Sequence, residues 1–159
     1  MNDKLKKGIA YILAGIALLG GGYGGSQMLG AGVNTGERTV MDTAITTTTG
    51  AMFLMNDYRT IGVTVANAAL TGTVKVACTM QKNATVSTTA SMTNRWDYVE
   101  LIELVDSSSL PGDTGLVVSS DSNIRQYEVN SNNFYACTAV LSPYTSGSTT
   151  IKFRPANNQ

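Results

Sequence analysis

Asp113-Thr114-Gly115 is the grouping that most directly suggests chemistry, because an Asp-Thr-Gly triplet supplies the carboxylate of an aspartic protease. That reaction needs two carboxylates sharing one proton. Here the triplet follows Pro111-Gly112 rather than an apolar strand, and Pro, Gly and Asp together favour a turn. Asp97, Glu100 and Glu103 form a second acidic grouping. On a strand, Glu100 would face away from the other two, so the three read as solvated edge positions rather than a metal or glycosidase site. Asp106-Ser107-Ser108-Ser109 reads as loop. Gly20-Gly21-Gly22-Tyr23-Gly24-Gly25 lacks the following Lys-Ser/Thr of a phosphate-binding loop. Asn83-Ala84-Thr85 satisfies the glycosylation sequon, which matters only in a eukaryotic secretory setting. The chain has no histidine and two cysteines. This excludes His-based triads, imidazole zinc sites, four-cysteine metal sites and histidine pH switches. The expectation is therefore no catalytic residue, no metal and no cofactor.

The 159 residues divide near residue 36. From Gly8 to Gly36 there is no charged side chain, and the apolar heart contains Ile9, Ile12, Leu13, Ile16, Leu18 and Leu19. Lys4, Lys6 and Lys7 precede it. Three roles compete for this segment. A secretory signal would have the basic start and an h-region of suitable length, but Leu29-Gly30-Ala31 is a poor cleavage site. A membrane span of about 20 residues would have to run from Ile9 through the glycine cluster to about Val33. A small-residue plug could instead be buried in a protein assembly. The expectation is a retained anchor over residues 1–36, with a lipid membrane as a possible partner of residues 9–33. If it spans, the lysines place the N-terminus in the cytoplasm or the virion interior.

Residues 37–159 are rich in Thr, Ser, Val, Asn and Gly, and period-two alternation recurs in place of helical stripes. Ile61, Val63 and Val65 share one face. Val74, Val76, Cys78 and Met80 are expected inward, with Lys75 and Thr79 outward. Further strand-sized runs are Val40–Ile45, Ala51–Leu54, Trp96–Leu104, Leu116–Val118, Arg125–Val129, Phe134–Leu141 and Thr149–Phe153. Turn clusters separate them, at Asn67-Ala68, Gln81-Lys82-Asn83, Leu110–Asp113, Ser131-Asn132-Asn133 and Ser142–Gly147. The pattern predicts an all-β domain, an antiparallel sandwich or jelly roll of about 7–9 strands, preceded by the apolar glycine-rich helix or segment.

Cys78, Trp96, Tyr135 and Cys137 fall in the order Cys…Trp…Tyr-x-Cys. This resembles the immunoglobulin pattern of an inter-sheet bridge, a packing tryptophan and a tyrosine corner. Cys78 and Cys137 are thus disulfide candidates; the alternative is two buried reduced thiols acting as small hydrophobes.

A second resemblance rests on Asn94-Arg95-Trp96-Asp97-Tyr98-Val99-Glu100-Leu101, Gly112-Asp113-Thr114-Gly115-Leu116, Arg125-Gln126-Tyr127-Glu128-Val129-Asn130 and Tyr135-Ala136-Cys137. In that order they resemble small bacteriophage virion structural proteins with a β-sandwich domain, over roughly residues 60–155. The apolar N-terminal segment departs from that group. The resemblance implies a virion component repeated many times per particle, with its own copies and other virion structural proteins as partners.

Charge and composition agree with such a role. Lys+Arg and Asp+Glu both number 11, so there is no basic excess for nucleic acid and little self-repulsion to oppose dense assembly. Exposed sheet edges must be paired or covered, which favours a homo-oligomer. The expected function is a non-enzymatic virion structural protein, capsid- or membrane-associated. The alternative is a membrane-anchored or pilin-like fibre or adhesin subunit in the cell envelope or outside the cell. Lys6-Lys7-Gly8 before the apolar run is similar to a prepilin cleavage site, although the glutamate that normally follows is absent.

Overall fold

The computed structural model describes residues 36–55, 58–82, 84–86, 96–130 and 133–156. The chain divides into two units, Met1–Val33 and Asn34–Gln159, and the described residues all lie in the second. The anchor residues Ile9, Ile12, Leu13, Ile16, Leu18 and Leu19 lie outside the described residues, as does Asn83 of the sequon. Among the described residues no helix is long and apolar enough to cross a membrane.

The described body is all-β and antiparallel. Its strands are β1 (Arg38–Ala44), β2 (Thr48–Thr49), β3 (Phe53–Leu54), β4 (Thr60–Thr79), β5 (Asp97–Tyr98), β6 (Leu101–Glu103), β7 (Ser109–Leu110), β8 (Leu116–Asp121), β9 (Ile124–Asn130) and β10 (Ala136–Ala156). The main order is β1-β10-β4-β9-β6-β7, with β2 and β3 also on β10, and β5 and β8 also on β4.

Two strands dominate. β4 has 20 residues and β10 has 21, and they pair from Ala136↔Thr79 to Ala156↔Thr60. This corrects the sequence-based division. Asn67-Ala68 and Ser142–Gly147 read as turns between separate strands, yet both lie inside the long pair. The reason is that their turn-forming residues serve as β-bulges. The register shifts between Leu141 and Tyr144, between Tyr144 and Ser146, and between Ser146 and Ser148. Ala69 and Gly147 take positive φ there, and the Ser142–Pro143 bond is cis. Bulges bend a ribbon and increase its local twist without ending its pairing. Four runs merge into two strands, Trp96–Leu104 splits into β5 and β6, and β2 and β7 are new, which gives ten strands among the described residues against the seven to nine anticipated.

The bend defines two halves. The disulfide half contains β2, β3, the start of β10, the end of β4, β5 and β8. The distal half contains β1, the end of β10, the start of β4, β9, β6 and β7. Phe53 is the register partner of Cys137 in the disulfide half, and its ring lies 5.8 Å from that of Phe153 in the distal half, edge to face. A straight strand from Cys137 to Phe153 would be about 50 Å long at ~3.3 Å per residue. The ribbon therefore folds back on itself, and one core lies between the halves. Val74, Val76, Cys78 and Leu141 from one half are buried there with Ile61, Val63, Val65, Ile151 and Phe153 from the other.

A second, smaller cluster covers the opposite face of the disulfide half. Ala77, Ala136 and Val140 are buried there under Ala84 and Trp96, with Met52, Leu54 and Tyr135 packed alongside. This explains a further departure at the end of β4. Met80 is 67% exposed and Thr79 is buried, the reverse of the anticipated alternation. β4 ends at Thr79, so the period of two no longer governs Met80, and Thr79 Oγ1 accepts a hydrogen bond from Gln81 N.

Candidate functional site

Cys78 and Cys137 are directly opposite one another on β4 and β10, with Cα atoms 4.0 Å apart and an S–S distance of 2.03 Å. The bond joins adjacent strands of one sheet, unlike the inter-sheet bridge of the immunoglobulin pattern. Trp96 departs from that pattern too. It belongs to the smaller cluster, on the face of the ribbon away from the main core, where its Nε1 donates to Thr85 O at 3.2 Å. Both differences have one cause: β4 and β10 are neighbours along their whole length, so the cysteines face the core side by side.

The most developed polar group sits at the bend. Asp121 closes β8, Asn67 lies on the bulged part of β4, and Thr149 follows the bulges of β10; all three are buried. Asn67 Nδ2 donates to Asp121 Oδ2 at 2.7 Å, and Asn123 Nδ2 donates to Asp121 Oδ1 at 2.6 Å. Thr149 Oγ1 donates to Asn67 Oδ1 at 2.8 Å. Arg125 Nη2 lies 3.5 Å from Asp121 Oδ1, and its Nη1 lies 3.8 Å from Glu103 Oε1. Backbone groups join in: Asn67 N donates to Asn123 O, and Ala69 N to Ser122 Oγ. The network thus ties β4, β8, β9 and β10 together at the place where ladder bonds are interrupted.

Its electrostatics follow from burial and partners. Burial pushes the Asp121 carboxyl up, but hydrogen bonds from Asn67, Asn123 and Arg125 outweigh it and hold the group below the ordinary carboxylate range. The hydrogen bond to Asp121 raises Arg125 in turn, against desolvation. Tyr127 is pushed up by burial and then by Glu103. Both oxygens of Asp121 are engaged, so the carboxylate acts as a brace that satisfies buried amides. Sequence reasoning missed this network. The Asp121-Ser122-Asn123 turn is visible locally, but its partners lie 54 residues away at Asn67 and, beyond that, at Thr149.

The earlier acidic candidates are dispersed. Asp113 is exposed in the turn that follows β7, where Thr114 N and Gly115 N both donate to Pro111 O. Lys75 Nζ reaches Asp113 O and lies 4.6 Å from the Tyr98 ring centroid. Burial, then Asp113, raises the Tyr98 hydroxyl. Asp97 and Glu100 are exposed, while Glu103 turns toward Arg125. Asp106 accepts from Ser108 N at 2.9 Å, and Ser108 holds its carboxyl below the usual value. Among the described residues no three metal-ligating side chains come together.

No family model matches the sequence, and no curated protein matches it. Among solved structures, the chain is similar to the SPBc2 prophage-derived protein YomS, with a TM-score of 0.52 at 9% identity. The match covers 74% of this chain and 89% of that one. At this identity the likeness is one of fold alone.

Proposed function

We propose that the chain is a non-enzymatic structural protein of a phage particle, present in many copies and associated with its capsid or membrane. In this reading the doubled-back sheet is a β-sandwich that packs against its own copies and other virion structural proteins. Residues 9–33 serve as the anchor, in lipid or in a protein shell, and no nucleic acid is bound directly. The observation that carries the reading is the fold shared with a prophage-derived protein over 89% of that chain.

Two features support it. The buried Cys78–Cys137 bond suits a protein that persists outside a reducing cytosol. The zero formal net charge suits close packing of identical copies. The test is to separate a lysate on a density gradient and follow the chain with an antibody. It should co-sediment with particles and leave them only on detergent or denaturant treatment. Recovery with host envelope, with cleavage after Gly8, would support the pilin-like alternative instead. Recovery as a free, clipped monomer would overturn both.

A further inference from the structure

The outward face of the distal half differs from the rest of the surface. Along β4 it presents Gly62, Thr64 and Ala66, which alternate with the buried Ile61, Val63 and Val65. Small residues at the centre leave a trough of about 560 Å³, lined by Gly62, Thr64, Glu128 and Arg154 among others. On the β9 side, Glu128 stands beside Gly62, Gln126 beside Thr64 and Ile124 beside Ala66. On the β10 side, Arg154 stands beside Gly62 and Lys152 beside Thr64. Leu104, Val105 and Ile124 are 53%, 88% and 72% exposed and gather at the β9 rim. Contiguous exposed apolar groups of this kind mark interaction surfaces.

The charges on this face are sorted by side. Lys152 is paired with Glu37 at 3.6 Å, whereas Arg125, paired with Glu103 and Asp121, stands beside Val65 on the other face of β9. Glu128 and Arg154 make no ion pair among the described residues. They share one row across Gly62, their backbones two strand spacings or about 10 Å apart, and each is left available to a charge from outside.

We propose that this face is where a second copy of the chain docks, related by a two-fold axis parallel to β4. Rotation about that axis lays the β9 side of one copy over the β10 side of the other. Glu128 of each copy then meets Arg154 of the other, twice by symmetry. A two-fold axis in the interface plane but perpendicular to β4 would set like charges against each other. Gly62, Thr64 and Ala66 let the two sheets approach, and the apolar rim covers the aliphatic stem of Lys152. A polyanion would call for one sign of charge across the face, whereas opposite signs on opposite sides suit a copy of the same surface. This inference rests on the many-copy part of the reading above and names the contact between copies.

The test uses the purified full chain and two variants, Glu128→Arg and Arg154→Glu, followed by sedimentation velocity. Each variant alone should self-associate more weakly than the wild type, on the order of tenfold or more in Kd. Mixed in equal amounts, the two variants should associate with each other at least as tightly as the wild type, because the mixture sets unlike charges at both positions. Unchanged circular dichroism for each variant excludes unfolding as the cause. A monomeric wild type at every concentration, variants that self-associate like the wild type, or a mixture that recovers nothing would each overturn the proposal. Because the measurement is made on isolated protein, it stands or falls separately from the assignment to a particle.

Discussion

Removing the disulfide tests how much the long β4–β10 pair depends on its covalent link. The perturbation is the double variant Cys78→Ala, Cys137→Ala. The two cysteines are 59 residues apart. Closing a loop of that length restricts the unfolded chain by about 14 cal/mol/K, or roughly 4 kcal/mol at 25 °C. Both side chains are fully buried in the main core, so replacing sulfur by hydrogen also leaves a small void, adding on the order of 1 kcal/mol. The expected loss is therefore about 4–5 kcal/mol, a large share of the 5–15 kcal/mol typical of a folded domain. The assay is urea unfolding at neutral pH, followed by tryptophan fluorescence, since Trp96 is the only tryptophan. Reductant should destabilise the wild type by a similar amount and leave the double variant unmoved. A change below about 1 kcal/mol, or equal sensitivity of both proteins to reductant, would refute the loop argument.

Other expectations follow from the bend and the core. Asp121→Ala should cost about 3 kcal/mol by urea unfolding, because it removes charge-assisted hydrogen bonds and strands the Asn67 amide; a cycle with Asn67→Ala should show positive coupling, and additive losses would deny the network. The folded-state carboxyl of Asp121 is lowered, so its contribution is present above the unfolded value of about 3.9 and is lost as pH falls through the folded value. Asp121→Asn should accordingly flatten the acid limb of the stability profile, beyond any change made by Asp106→Asn. Gly147→Ala should destabilise by about 1–3 kcal/mol, since Gly147 has φ +82° and an added Cβ would lie 2.2 Å from Ala69 O. Phe153→Ala should lose about 3–5 kcal/mol, because its ring meets Phe53 where the two halves close on each other; thermal unfolding checks both.

The all-β character was legible wherever alternation is strict and one face is buried. Ile61, Val63 and Val65 are such a run, and so are Val74, Val76 and Cys78. The sequence misled at the bend because the residues that make a bulge are those that make a turn. Pro143, Ser146 and Gly147 carry the same local preferences in either setting, and only the pairing partner decides between them. The pairing of Cys78 with Cys137 inside one sheet follows from that same long register. Trp96 was misplaced because its cover comes from Ala77, Ala136 and Val140, which lie on the face of the ribbon opposite the cysteines. The Asp121 network is long-range by nature: a buried carboxylate is legible only once the amides that satisfy it are in place.

The proposed role makes this β body one of many identical parts of a phage particle. Its most direct test is absolute quantification of the chain in gradient-purified particles, using isotope-labelled peptides from β9 and β10 and normalising to packaged genomes. Many copies per genome are expected, in a constant ratio from one preparation to the next. Fewer copies than genomes, or a ratio that drifts toward nothing as the particles are purified, would contradict it.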